Sequence, residues 1–252
     1  MREDWIQPIL DDAKAQGLQR AARVYPEAGG LIRIDGKEVL NFSSNDYLDL
    51  ARHPHVMDRA REALDLYGVG SPASRLVSGP LPIHEELEVR IAREKGYESA
   101  LVFGSGYMAN AGTIPALAGR GDLIFADKLV HASMIDACKL SGAKLVRYAH
   151  NDAEALEKRL EQYAEADGRK LVITESVFSM DGDNTPLKDK AVLAEQQGAM
   201  LMVDEAHSSG TFGPNGAGLI RELGIENAVT VSMGTMSKAM AGYGGFIACS
   251  KP

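Results

Sequence analysis

The chain has 252 residues, 45% hydrophobic and 25% charged, a balance that supports one large or two small globular domains with an ample core. Its net charge of −8 excludes a nucleic-acid scaffold, which needs a basic face, while leaving room for small anions held by local amides or single arginines. No stretch approaches the ~20 apolar residues of a membrane helix, and the acidic start MREDWIQPIL does not read as a signal peptide, so a cytoplasmic protein without membrane contact is expected.

Residues 3–25 predict an amphipathic helix, stopped by YPEAGG. LIRIDGKEVLNF alternates apolar and polar residues around Asp35-Gly36 and predicts a β-hairpin. Residues 1–50 thus read as an N-terminal helix-and-hairpin segment, and residues 51–252 as a larger domain. In that domain HPHVMDRAREALDLYG and PIHEELEVRIAREKG carry apolar residues at three-to-four spacing, and each ends at a glycine, as helices do. SALVF, a helix from about residue 107, DLIFAD, a helix from about residue 131 and AKLVRY follow. NDAEALEKRLEQYAEA opens with an Asn-Asp cap signal. KLVITES, helical LKDKAVLAEQQ, AMLMVDE, AVTVSMG and GGFIACS complete the chain. Short apolar runs bounded by turns suit strands buried on both faces. Their alternation with helices predicts an α/β fold, a mostly parallel sheet with helices on both faces joined by right-handed crossovers. Cys138 and Cys249 lie far apart without metal spacing and read as small buried hydrophobes in a reducing compartment.

Open α/β sheets bind ligands outside the carboxyl ends of their strands. The segments that follow the predicted strands are strongly polar: GSGYMAN, DKLVHAS, ESVFSMDGD, DEAHSSG and GTMSK. Gly104, Ser105 and Gly106 form either a plain tight turn or an anion site of free helix N-terminal amides. No G-x-x-x-x-G-K-[ST] phosphate loop is present, so MVDEAH does not read as a nucleotide-dependent Mg²⁺ site. A metal site at Asp204 and His207 lacks further ligands in consistent spacing. Asp204 is then either an ion-pair partner or an acid that holds a protonated heterocyclic nitrogen.

Lys238 sits among Gly, Ser, Thr and Ala directly after an apolar run. It is either a surface lysine or a confined amine whose charged form is disfavoured, which makes it a nucleophile. Thr235 and Ser237 offer hydroxyls suited to a phosphate, and small neighbours leave room for a bulky aldehyde. An aldehyde, a pyridine nitrogen and a phosphate together describe pyridoxal 5'-phosphate.

NFSSNDYLDL, VSGPLPIHEELE, DKLVHASMIDA, YAHNDAEALE, ESVFSMDGD, VDEAHSSGTFG and GTMSKAMAGYGG, in this order, resemble the blocks of the α-oxoamine synthases, which are fold type I pyridoxal-phosphate enzymes. The resemblance runs over nearly the whole chain and implies the large domain of that fold. It implies that Lys238 carries the cofactor aldehyde, that Asp204 pairs with the ring nitrogen, that His207 bonds the ring hydroxyl oxygen and that His131 stacks on the ring. It places Ser179 and Glu175 beside the cofactor, Gly106, Tyr107 and Thr235 at its phosphate, and Asn45 and Arg20 at the substrate. The alternatives are that His131 is a residue of a helix N-terminus and that Arg20 is a solvated helix charge.

The implied acyltransferase reaction is a decarboxylative condensation of an amino acid with an acyl-CoA or acyl-carrier protein, in a homodimer. SRLVSG, AHND and SNDYL point to the member that joins L-alanine to a pimeloyl thioester in biotin synthesis. The alternatives are a glycine-using relative, such as 2-amino-3-ketobutyrate CoA ligase or 5-aminolevulinate synthase, an inactive cofactor-binding fragment, or a fold type I aminotransferase. Pro72 in GSPASR departs from the glycine-rich loop of many relatives. The family continues into a small C-terminal domain that supplies an arginine for the amino-acid carboxylate and part of the dimer. A chain ending at Pro252 is expected to lack both.

Overall fold

The computed structural model describes residues 4–22, 24–25 and 29–251. It divides into two compact units, Met1–Phe42 and Ser43–Pro252.

In the first unit, helix α1 (Ile6–Ala15) is shorter than the helix predicted over residues 3–25. Gly17 adopts φ 68°, its N–H bonds to the Lys14 carbonyl, and the Leu18 N–H reaches back to Ala13. This left-handed glycine cap ends the helix, because the crossed bonds satisfy the carbonyls that another turn would have used. Glu3 and Arg23 of the predicted helix, and Pro26, Glu27 and Ala28 of the predicted breaker, lie outside the described residues. Strands β1 (Leu31–Ile34) and β2 (Lys37–Leu40) pair antiparallel, with Leu31 opposite Leu40. Asp35 (φ 50°) and Gly36 (φ 78°) make the two-residue turn expected between them, whose positive φ angles match the twist of the strands.

The second unit follows the expected alternation. Helices α2 (Pro54–Tyr67) and α3 (Pro82–Lys95) precede β3 (Ser99–Phe103), α4 (Gly106–Leu117), β4 (Leu123–Asp127), α5 (Ala132–Ser141) and β5 (Lys144–Tyr148). Then come α6 (Ala153–Gln162), capped by the Asp152 side chain on the Ala155 N–H, β6 (Lys170–Glu175), α7 (Leu187–Gln196) and β7 (Met200–Asp204). The short α8 (Leu219–Leu223), too brief to show a periodic pattern, is an addition to the predicted elements; β8 (Val231–Thr235) and β9 (Gly245–Cys249) follow it. Among the described residues, no helix is long and apolar enough to cross a membrane.

The strands of the main sheet are ordered β3-β9-β8-β7-β6-β4-β5. Strands β5, β4, β6, β7 and β8 are parallel, as expected, whereas β9 runs antiparallel to both β8 and β3. The cause is the short 236–244 connection, since a parallel return needs a crossover of a dozen or more residues. Two glycines allow the return. A Cβ on Gly234 would lie 2.3 Å from the Phe246 ring, and one on Gly245 would lie 2.6 Å from the Ser105 carbonyl.

Alternate strand residues feed two cores. Ile124, Ala126, Ile173, Met202 and Met233 pack with Ala109, Ile114, Met134 and Cys138 of α4 and α5. Phe125, Val172, Leu201 and Val203 pack on the other face with Leu156, Leu160, Leu187 and Ile220. Burial of both faces explains the unbroken apolar runs.

Helix α3 is tied to the sheet through charge. Lys95, 3% exposed, donates to Glu205 Oε2 at 2.8 Å and to Ser209 Oγ at 2.7 Å. Glu205 also accepts from Ser208 Oγ, Ser232 Oγ and the Ile220 N–H. Removing one partner of a buried pair strands the other charge in a poor solvent. Lys95→Met is therefore expected to lower unfolding free energy by about 3–5 kcal/mol in urea titrations, and an unchanged midpoint would refute this role.

Candidate active site

A cavity of about 240 Å³ opens at the carboxyl ends of the central strands. Lys238, Asp204, His207, His131, Glu175, Gly106, Tyr107, Thr235 and Ser237, all singled out from sequence, line it together with Asn110 and Ser133.

The sheet register places its acids. Glu175 and Asp204 are paired residues at the ends of adjacent parallel strands β6 and β7, so their side chains share one face. They are 3% and 4% exposed. Burial, then the neighbouring Asp204 charge, pushes the Glu175 carboxyl up to about 8, against the opposing pull of the His131 N–H, Lys238 and the Ser179 N–H. Asp204 accepts from the Ala206 N–H at 2.9 Å and from Asn110 Nδ2 at 3.1 Å.

Asn110 extends this network. Its second amide hydrogen reaches Ser133 Oγ at 3.0 Å, and Ser133 Oγ lies 2.8 Å from His131 Nδ1. The Ser133 N–H also bonds Nδ1, at 3.2 Å, so Nδ1 is an acceptor and the proton sits on Nε2. His131 is thus both the cap of α5 and a wall of the cavity, and its own N–H donates to Glu175 Oε1 at 2.6 Å. Asn110 is not among the residues singled out from sequence, although a signal exists. It lies one helical turn after Gly106 and therefore on the same face of α4.

Lys238 rises from the loop between β8 and β9. Thr235 Oγ1 donates to the Gly244 carbonyl at 2.9 Å, and the Met236 N–H bonds the same carbonyl, closing the loop at its base. Lys238 Nζ lies 2.8 Å from His207 Nε2, and His207 Nδ1 lies 2.7 Å from the Tyr47 hydroxyl. Burial lowers the lysine's affinity for its proton, with Asp204 and Glu175 pulling the other way. Burial and the Lys238 charge lower His207 to about 4, which keeps it a neutral imidazole at pH 7.

At the opposite wall, Ser105 caps α4 by accepting from the Met108 N–H at 3.2 Å. The first amides of α4, at Gly106 and Tyr107, adjoin Thr235 and Ser237 in the lining. Helix N-terminal amides of this kind favour an anion.

Ser179, Asn45 and Arg20 are not among the residues that line the cavity. Ser179 is exposed and does not line the cavity; its backbone N–H bonds Glu175. Asn45 is connected through Tyr47, whose hydroxyl donates to Asn45 Oδ1 at 3.2 Å. Arg20 is exposed in the first unit. Glu205, committed to Lys95, is not free to hold a metal.

The family model described as "Aminotransferase class I and II" matches residues 37–252. The chain is 49% identical over 246 residues to an 8-amino-7-oxononanoate synthase of Anaeromyxobacter sp. strain K, covering 97% of this chain and 61% of that relative. It therefore spans about three fifths of the length of the curated relatives it matches. A serine palmitoyltransferase of S. paucimobilis, solved with a bound PLP–myriocin aldimine, superposes with a TM-score of 0.90 at 35% identity, over 100% of this chain and 64% of that one. An 8-amino-7-oxononanoate synthase from Francisella tularensis superposes with a TM-score of 0.69 at 34% identity, over 83% of this chain and 58% of that one. The seven-stranded mixed sheet is the large-domain architecture of the fold type I transferases, and the chain belongs to the aminotransferase class I and II family.

Proposed function

We propose that the chain binds pyridoxal 5'-phosphate through Lys238 and serves an acyltransferase that condenses L-alanine with a pimeloyl thioester, giving 8-amino-7-oxononanoate, CO₂ and free thiol in cytoplasmic biotin synthesis. The observation that carries this reading is the convergence of the Lys238 amine, the buried Asp204 carboxylate and the start of α4 on one cavity. The names of the relatives support the substrate assignment. A homodimer is part of the same proposal.

The residues fit the cofactor. Asn110 Oδ1 is buried without a hydrogen-bond partner among the described residues. A Cβ on Gly106 would press to 3.1 Å from Met233 Cε, so a side chain at the start of α4 would need that methionine to give way by a few tenths of an ångström. When bound, the cofactor supplies an aldehyde for an amine and a ring that accepts an electron pair from Cα. Gly106, Tyr107 and Thr235 would hold its phosphate and Asp204 its ring nitrogen. Asn110 holds Asp204 in place for that contact. Lys238, with its proton affinity lowered by burial, is suited to give up and take back a proton at Nζ. His207 stays neutral beside it and hydrogen-bonds without adding charge. His131, locked by Ser133, presents Nε2–H rather than a mobile ring.

Adding pyridoxal phosphate to the chain is expected to produce a visible absorbance band, fixed to Lys238 by borohydride and located by peptide mass spectrometry. Lys238→Ala is expected to abolish it, and a band that survives would end the proposal. With the cofactor loaded, thiol release from pimeloyl-CoA is expected on adding alanine. Release with glycine or serine instead would reassign the substrate, and a band without thiol release would mark a cofactor-binding fragment.

Glu175 gives the cofactor-free chain a pH signature. Between 4.5, its ordinary value, and about 8 the folded chain holds a proton that the unfolded chain has lost. Its contribution to stability is full below the ordinary value and is lost as pH rises through about 8. Glu175→Gln, permanently neutral, is expected to flatten the fall in urea midpoint across this window; an unaltered slope would show that the carboxyl is already ionised.

A further inference from the structure

Tyr47 has no role in the reading of the motifs, yet its hydroxyl lies between Asn45 and His207 in an unbroken polar chain that ends at Lys238. The donors and acceptors in this chain can be counted. An ammonium on Lys238 has hydrogens and no lone pair, so His207 Nε2 must accept from it across their 2.8 Å contact. A neutral imidazole with a bare Nε2 carries its proton on Nδ1 and must donate it. The atom facing Nδ1, at 2.7 Å, is the Tyr47 oxygen. A hydroxyl has one hydrogen, and Tyr47 sends it to Asn45 Oδ1 at 3.2 Å, which leaves its oxygen as the acceptor that Nδ1 requires. The reverse arrangement, with Tyr47 donating to Nδ1, would put an Nε2–H against the ammonium, donor facing donor, and would remove the bond from Asn45 Oδ1.

We propose that Tyr47 is a positioning residue for Lys238. With its own proton held by Asn45, its hydroxyl oxygen accepts from His207 Nδ1, fixes the imidazole in the Nδ1–H tautomer and so keeps Nε2 bare and aimed at the lysine amine. The hydrogen-bond count rests on the contact geometry and on a protonated Lys238; its purpose, steadying the amine that carries the cofactor, rests on the function proposed above. The acidic groups that act on Lys238 are Asp204 and Glu175 on the sheet, whereas the Tyr47 hydroxyl bonds Asn45 and His207.

The test uses the chain without cofactor, labelled with ¹⁵N-histidine, and long-range ¹H–¹⁵N correlation spectra at neutral pH. The His207 signals are identified by their loss in His207→Gln. The expected result is the Nδ1–H pattern in the parent chain and a shift toward the Nε2–H pattern in Tyr47→Phe. Asn45→Ala frees the tyrosine proton to turn toward Nδ1 and is expected to shift the pattern the same way, so it decides the matter if Tyr47→Phe does not fold. In Tyr47→Phe the ammonium also loses its acceptor. The pH midpoint for trinitrobenzenesulfonate labelling of Lys238, read by peptide mass spectrometry, is then expected to fall by about one pH unit, the scale of one charged hydrogen bond partly lost. An unchanged tautomer in a folded variant, or an Nε2–H pattern in the parent chain, would overturn the proposal. A tautomer response in a chain that never develops the visible band would refute the cofactor reading and leave the positioning role standing.

Discussion

Two carboxylates are forced together at the ends of β6 and β7, and the site is organised around the consequence. Parallel register makes Glu175 and Asp204 neighbours on one face, and the helices covering that face keep both from water. Two buried like charges at such a separation are strongly disfavoured, so one acid is pushed toward its neutral form. Glu175 is that acid, raised to about 8. Asp204 accepts from the Ala206 N–H and the Asn110 amide. Glu175 is thereby a carboxyl favoured in its protonated form, and it ties the His131 and Ser179 backbones to the sheet.

The reversal of β9 does the rest of the placement. Because β9 returns antiparallel beside β8, the connecting loop doubles back over the carboxyl end of the sheet and does not lead into a distant helix. Thr235 and Gly244 close that loop, and Lys238 projects from it toward His207. The glycines at 234 and 245 are needed because the Phe246 ring and the turn before α4 occupy the space a side chain would take. The same close approach brings Thr235 against Gly106, which joins the two halves of the anion-binding wall.

Both histidines are held by polar chains with a determined direction. Asn110 of α4 and Ser133 of α5 set the His131 tautomer, and Asn45 and Tyr47 set that of His207. Neither chain is visible whole as a motif, because each joins a neighbouring pair, Asn45 and Tyr47 or His131 and Ser133, to residues of distant segments. Glu205, adjacent in sequence to Asp204, points into a different environment and serves the buried pair with Lys95. Neighbours along a strand alternate faces, so one of the two acids serves the site and the other the fold.

Local chemistry alone was enough to write down the alternation of strands and helices, the turn at Asp35-Gly36, the end of α3 at Gly96 and the residues most concerned with chemistry, Lys238 and Asp204 among them. Periodicity, caps and turn residues act over a few positions, so they can be read directly from the order of the amino acids. Helix α1 is the exception, since its apolar spacing continues past Gly17 while the backbone there turns left-handed. Strand order, the antiparallel β9 and the roles of Tyr47, Asn110 and Ser133 emerge only once the chain is folded. Hydrogen-bond partners that lie 23 to 160 positions apart in the chain leave no local pattern, and close packing around the sheet is what brings them within bonding distance.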